Sequence, residues 1–194
     1  MQLVLASASP RRAELLKKIG LDFIVRPAVT EEIIKPNLDL LEQVKSLALQ
    51  KARVVAETLS TGLVIGADTI VVMGQEVLGK PDSREMAVQM LSRLSGQQHQ
   101  VLTGVALVDS QSGQALSEVE STLVQFRTLT LEEITAYVKT GEPLDKAGAY
   151  GIQEKGAILV ERIEGCYFNV VGLPLARLVR MLKEMGVEVH QCWH

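Results

Sequence analysis

The sequence predicts an α/β protein whose mixed sheet is flanked by helices. Apolar runs of strand length recur along the chain, amphipathic segments with helical spacing separate them, and strands lie on both sides of the long helices. At 194 residues and 21.2 kDa the chain fits one domain or two tightly joined lobes, since domains usually hold roughly 100 to 200 residues. No repeat, low-complexity tract or Pro/Ser-rich linker marks a boundary, so residues 1–189 are read as one domain and 190–194 as a flexible tail.

The elements follow in order. Leu3-Val4-Leu5-Ala6 is a buried strand that stops at Ser7-Ala8-Ser9-Pro10, where Ser9 can cap a helix and Pro10 can open it, ending at Gly20. Phe23-Ile24-Val25 is a second strand leading to the acidic Thr30-Glu31-Glu32. From Asp39 to Leu59 the apolar residues Leu40, Leu41, Val44, Leu47, Ala48, Ala52, Val55, Ala56 and Leu59 recur at helical spacing. Leu63-Val64-Ile65, Gly66-Ala67-Asp68-Thr69 and Ile70 to Met73 read as a buried strand running into a hairpin at Gly74-Gln75. Asp82 with Glu85 resembles a capping box for a helix to Leu94, and Thr130 with Glu133 a second for a helix ending near Gly141. Strands are expected at Gln100 to Val108, Ser121 to Arg127 and Ile158 to Val160, and Pro174 opens a last helix to Met185.

Composition excludes several functions. With 47% hydrophobic and 22% charged residues the chain is not disordered. A net charge of −3 attracts neither a nucleic-acid backbone nor an anionic membrane. No apolar run approaches the roughly 20 residues of a membrane span, and no signal peptide is apparent, so a cytoplasmic protein is expected. Cys166 and Cys192 are too few for a disulfide framework and lack zinc-site spacing.

An anionic ligand must therefore be small and held locally. Ser7-Ala8-Ser9-Pro10-Arg11-Arg12 places two hydroxyls, a helix N-terminus and two guanidinium groups within one turn, which suits phosphate; a plain cap followed by solvated arginines is the alternative. Gly74 to Lys80 has the spacing of a P-loop, but Pro81 stands where Ser or Thr is needed, and that reading is rejected. Lys51 lies seven residues beyond Val44 and so on the same helix face, either with its stem on apolar surface and its ammonium in water or with the ammonium aimed at a phosphate. Asp68 follows an apolar strand, as catalytic groups do in α/β proteins. Glu31 and Glu32 either sit on a solvated turn or join Asp68 in holding magnesium. The small-residue loop Asp145 to Gln153 permits close backbone approach to a flat ligand and is equally consistent with a plain connection. His99, His190 and His194 pair with no nucleophile and are read as structural or surface groups.

Together these segments resemble the Maf family of nucleotide pyrophosphatases. The match runs from Leu3 to about Gly186 and is carried by Leu5 to Arg12, Glu31-Glu32, Gln50-Lys51-Ala52, Gly66 to Thr69, Gly79-Lys80-Pro81, Asp145 to Gln153 and Val171-Gly172-Leu173-Pro174. The resemblance implies a twisted sheet in two lobes with a cleft, similar to the inosine triphosphate pyrophosphatases, and often a homodimer. It implies hydrolysis of a nucleoside triphosphate to the monophosphate and pyrophosphate, with Asp68 as proton acceptor, Glu32 as a second acidic residue, and Lys51 and Lys80 as cleft lysines; magnesium or manganese, held by Glu32 and Asp68, is expected to assist the attack of water. Ser7, Ser9 and Arg12 fall in the family's phosphate-binding start, and Arg11, Thr69 and Gln153 on positions tied to substrate choice. Ala67-Asp68-Thr69 with Gly151-Ile152-Gln153 resembles the branch acting on dTTP and UTP, with a house-cleaning role. The alternatives are a pyrophosphatase for 7-methyl-GTP or modified nucleotides, and a nucleotide-binding regulator of septum formation.

Overall fold

The computed structural model describes residues 2–29 and 39–193. In chain order they form β1 (Leu3–Leu5), α1 (Pro10–Lys18), β2 (Phe23–Val25), α2 (Leu40–Ala56), β3 (Leu63–Met73), β4 (Glu76–Leu78), α3 (Arg84–Leu94), β5 (Gln98–Asp109), β6 (Ala115–Phe126), α4 (Leu131–Lys139), β7 (Val160–Glu164), α5 (Tyr167–Val171) and α6 (Leu175–Glu184). The strands make a seven-stranded sheet in the order β2-β1-β3-β5-β6-β7, with β4 paired to β3. It is mixed, as expected: β1 runs parallel to β2 and β3, whereas β3–β4 and β6–β7 are antiparallel. The chain divides into two compact units, residues 1–68, 103–120 and 172–194 in the first, and 69–102 and 121–171 in the second.

In the first unit α2 lies on the sheet through small residues. Ala48, Ala52 and Ala56 pack with Val4, Ala6, Val64, Ala106 and Val108. Two glycines bring the backbones together: a Cβ on Gly66 would lie 2.3 Å from the Ala48 carbonyl oxygen, and one on Gly104 would lie 2.3 Å from that of Val44. Real Cβ atoms never come so close, so only glycine admits the helix at this depth. Asp39 accepts the Glu42 N–H at 2.9 Å and caps the helix.

In the second unit His99, Phe126 and Tyr150 pack edge to face, with ring centroids 4.8 to 5.3 Å apart. Thr130 and Glu133 form the expected capping box at the start of α4. Three short 3-10 segments, Glu142–Asp145, Ala147–Ala149 and Glu154–Leu159, follow that helix.

Several expectations shift. The cap of α3 is Ser83, which accepts the Met86 N–H at 3.1 Å, and not Asp82. Ser9 occupies the N-cap position of α1, but its side chain makes no cap bond; its N–H is donated to Ser7 Oγ at 3.2 Å. Ile158 and Leu159 belong to a 3-10 segment, and β7 starts at Val160. Strand β6 begins at Ala115, well before Ser121, and the five-residue α5 has no counterpart in the sequence reading. The expected tail forms a 3-10 turn over Val189–Cys192, and Trp193 Nε1 donates to the Ile19 carbonyl at 2.7 Å.

Candidate active site

Asp68 lies inside an eleven-residue strand and not at its end. Strand β1 pairs with β3 only as far as Leu5 opposite Ile65, so Asp68 stands beyond the carboxyl end of the parallel neighbour, where open α/β sheets place their ligands. Its carboxylate Oδ1 accepts from Lys51 Nζ at 2.5 Å. The two side chains are only 18% and 11% exposed, so the pair is shielded from solvent far more than a surface ion pair. Lys51 reaches this point because α2 is seated on Gly66, two residues before Asp68. The Lys51 ammonium is thus not left in water but meets a buried carboxylate, a partner that neither reading of this residue named.

Ser7 follows β1 at the same end of the parallel strands and is buried at 8% exposure. Ser7 Oγ accepts from Arg12 Nη1 at 3.1 Å and from the Ser9 N–H at 3.2 Å. Arg12 Nε donates to the Gly172 carbonyl at 2.8 Å, so the guanidinium plane is held from two directions. Gly172 adopts φ +119, a conformation suited to glycine. The motif Val171 to Pro174 thus has a task that no local pattern reveals: it aims an arginine 160 residues away. Arg11 is half-buried beside Arg12 in the first turn of α1.

The remaining expected residues lie in the second unit. Thr69 follows Asp68 in β3 and is half-buried. Lys80 is exposed on the Gly79–Pro81 corner, and the Gly79 carbonyl accepts the Gly148 N–H at 3.0 Å. A Cβ on Gly148 would lie 3.0 Å from Val71 Cγ1, so the glycine-rich loop presses onto β3. Gln153 is half-buried and precedes the Glu154–Leu159 segment. Tyr137 Oη and the Glu142 carboxylate bind the backbone on both sides of it; the sequence reading missed both residues, because neither lies within a recognised motif. Burial pushes the Tyr137 phenol up, which keeps it a neutral donor.

Glu31 and Glu32 lie outside the described residues. Among the described residues no cluster of three or more His, Cys, Asp or Glu side chains could hold a metal ion. His99 is buried, with Nε2 at 2.8 Å from Tyr150 Oη, and desolvation lowers its pKa to about 4, in keeping with a structural role.

Comparison with known proteins extends this description. A relative from Acetivibrio thermocellus named dTTP/UTP pyrophosphatase is 54% identical over 196 residues, covering 97% of this chain and 98% of the relative. Another of that name, from Moorella thermoacetica, is 54% identical over 188 residues, covering 97% of each. The solved structure of a HAM1 protein from Coxiella burnetii superposes with a TM-score of 0.53 at 16% identity, covering 95% of this chain and 99% of that one, a likeness of fold alone. No helix among the described residues is long and apolar enough to cross a membrane. The Maf-like protein family model matches residues 2–185, and with two long relatives above half identity beside it, the chain belongs to the Maf-like protein family.

Proposed function

We propose that this protein hydrolyses dTTP and UTP to the nucleoside monophosphate and pyrophosphate. The observation that carries the reading is the shielded Lys51–Asp68 pair beyond the carboxyl end of β1. Support comes from relatives that bear this activity in their names and span nearly the whole chain.

In this reading water attacks the α-phosphorus and pyrophosphate leaves. Asp68 orients the water and takes its proton, and Lys51 holds the carboxylate in place at 2.5 Å. Arg12, steered by Ser7 and Gly172, meets the phosphate oxygens with Lys51, offsetting the charge that grows on the leaving group; Lys80 is given its phosphate role on the family resemblance. Ser9 joins this phosphate-binding start, while Arg11, Thr69 and Gln153 govern substrate choice on the family resemblance. Uracil and thymine offer two carbonyls around an N–H, and cytosine replaces one carbonyl with an amino group, so a site built for the first pattern leaves buried groups unpaired with the second.

Asp68 with Glu32 supplies hard carboxylate oxygens, a donor set that suits magnesium or manganese together with phosphate oxygens. Such an ion, when bound, neutralises phosphate charge and lowers the pKa of water. A homodimer, supported by the family resemblance, a cytoplasmic location and a house-cleaning role complete the proposal.

The test is pyrophosphate release from the purified protein with magnesium, with manganese and after chelation, across dTTP, UTP, CTP, dATP, GTP and 7-methyl-GTP, beside Asp68→Asn. Release confined to dTTP and UTP, metal-dependent and lost in the variant, is the expected result. Release chiefly from 7-methyl-GTP overturns the substrate assignment. Binding of dTTP without any release overturns catalysis in favour of a nucleotide-binding regulator.

A further inference from the structure

Gln153 sits on a short arch of backbone whose two feet are tied to one phenol and one carboxylate. At the first foot, the Gly151 N–H donates to Tyr137 Oη at 3.2 Å, and that hydroxyl donates to Glu142 Oε1 at 2.9 Å. At the second foot, Glu142 Oε1 accepts the Gly156 N–H at 3.1 Å and Oε2 accepts the Lys155 N–H at 3.3 Å. The feet also touch: a Cβ on Gly156 would lie 2.1 Å from the Gly151 carbonyl oxygen and 2.7 Å from Tyr137 Oη.

Other contacts close the base of the arch. Lys146 Nζ donates to the Glu142 carbonyl at 2.6 Å, and a Cβ on Gly151 would lie 2.7 Å from Lys146 Cε. Between the feet Ile152 is buried, while Glu154 adopts φ +47, a left-handed conformation that a non-glycine residue adopts only when its surroundings impose it. The arch is therefore a constrained shape, and the Tyr137–Glu142 pair is the constraint common to both feet.

A carboxamide presents an acceptor or a donor after a half-turn about its last bond, so it can tell uracil from cytosine only if its backbone and neighbours hold it in one place. We propose that Tyr137 and Glu142 are positioning residues for base selection, fixing the arch that carries Gln153 and thereby the discrimination of dTTP and UTP against CTP. This inference rests on the reading of Gln153 as a residue of substrate choice.

The experiment measures kcat and KM for dTTP, UTP and CTP with wild type, Tyr137→Phe, Glu142→Ala, Glu142→Gln and Gln153→Ala, with thermal melting of each. The expected result for Tyr137→Phe and Glu142→Ala is a fall of about tenfold or more in the dTTP-to-CTP ratio of kcat/KM. The change should lie in KM, with kcat for dTTP within about threefold, and Glu142→Gln, which keeps one acceptor oxygen, should recover part of the ratio. If Gln153→Ala lowers the ratio while Tyr137→Phe and Glu142→Ala keep it, or lose activity equally on all three substrates, the positioning role is overturned. If Gln153→Ala keeps the wild-type ratio, the underlying reading of Gln153 is the one that fails. Should one variant not fold, the other still decides, because each removes one member of the shared constraint.

Discussion

Gly66 of β3 and Ala48 of α2 meet backbone to backbone, with room for no side chain between them. The contact sets the depth of α2 on the sheet, and the same helix delivers Lys51 to Asp68 less than one turn further on. A glycine with no chemistry of its own therefore governs a distance between two groups that have it.

Gly66→Ala is expected to displace α2 or strain β3. Overpacking of this kind typically costs about 1 to 3 kcal/mol, which for a domain of this size lowers the melting temperature by about 2 to 4 °C per kcal/mol. Pyrophosphate release should fall more than stability does, since the Lys51–Asp68 contact is disturbed directly. A variant with unchanged melting and turnover would show that the helix has slack at this point.

Lys51→Met and Asp68→Asn should each lower kcat by about 100- to 1,000-fold, the usual cost of removing one group that stabilises developing charge. Because the two side chains are bonded to each other, the double variant should lose far less than the product of the single losses. Single-turnover rates for the four proteins measure this coupling, and strict multiplicativity would mean that the two act independently.

Arg12→Lys keeps the positive charge and loses the planar fork that reaches Ser7 and Gly172 together. We expect kcat/KM for dTTP to drop by about 10- to 100-fold, in line with the loss of about 1.5 to 3 kcal/mol for a charged hydrogen bond. Ser7→Ala, which removes only the hydroxyl, should have a smaller effect in the same direction. Steady-state kinetics with both variants would detect a reversed order, which would count against the phosphate role proposed for Arg12.

His99 links acidity to stability. Its pKa falls from 6.5 to about 4 on burial, so between those values the unfolded chain holds a proton that the folded chain lacks, and stability rises with pH. The contribution is complete above about 6.5 and is lost as pH falls toward 4, on the order of 3 kcal/mol in all. Urea unfolding between pH 7 and 4.5 should show this slope in wild type and a flatter one in His99→Gln. Parallel slopes would place the sensitivity elsewhere.

What the sequence makes legible is what neighbours in sequence decide. The Thr130–Glu133 capping box, the Pro10 helix start and the buried face of α2 all follow from residues within a turn or two of each other. Counting places Lys51 on that face and leaves its ammonium to water or a phosphate; the carboxylate it meets is supplied by β3, seventeen residues away. Asp68 was expected at a strand end; it lies beyond the end of the neighbouring strand, and only the pairing register with β1 tells the two apart. The Ser9 hydroxyl was expected to cap α1, yet Ser7 Oγ took up the Ser9 N–H and the Arg12 guanidinium. Tyr137 and Glu142 escaped notice because they act through backbone N–H groups, which carry no residue identity.

The bond from Arg12 to the Gly172 carbonyl spans 160 residues, and this has a consequence for synthesis on the ribosome. A nascent chain that has emerged only through Val171 already carries Ser7, Ser9, both arginines, Lys51 and Asp68, but not the acceptor that orients Arg12. Contacts between residues so far apart in sequence form late, because the intervening loop must close before they can stabilise anything. The Arg12 arrangement, begun within the first dozen residues, is thus among the last features completed, and translation cut short before Gly172 yields a chain unable to aim Arg12.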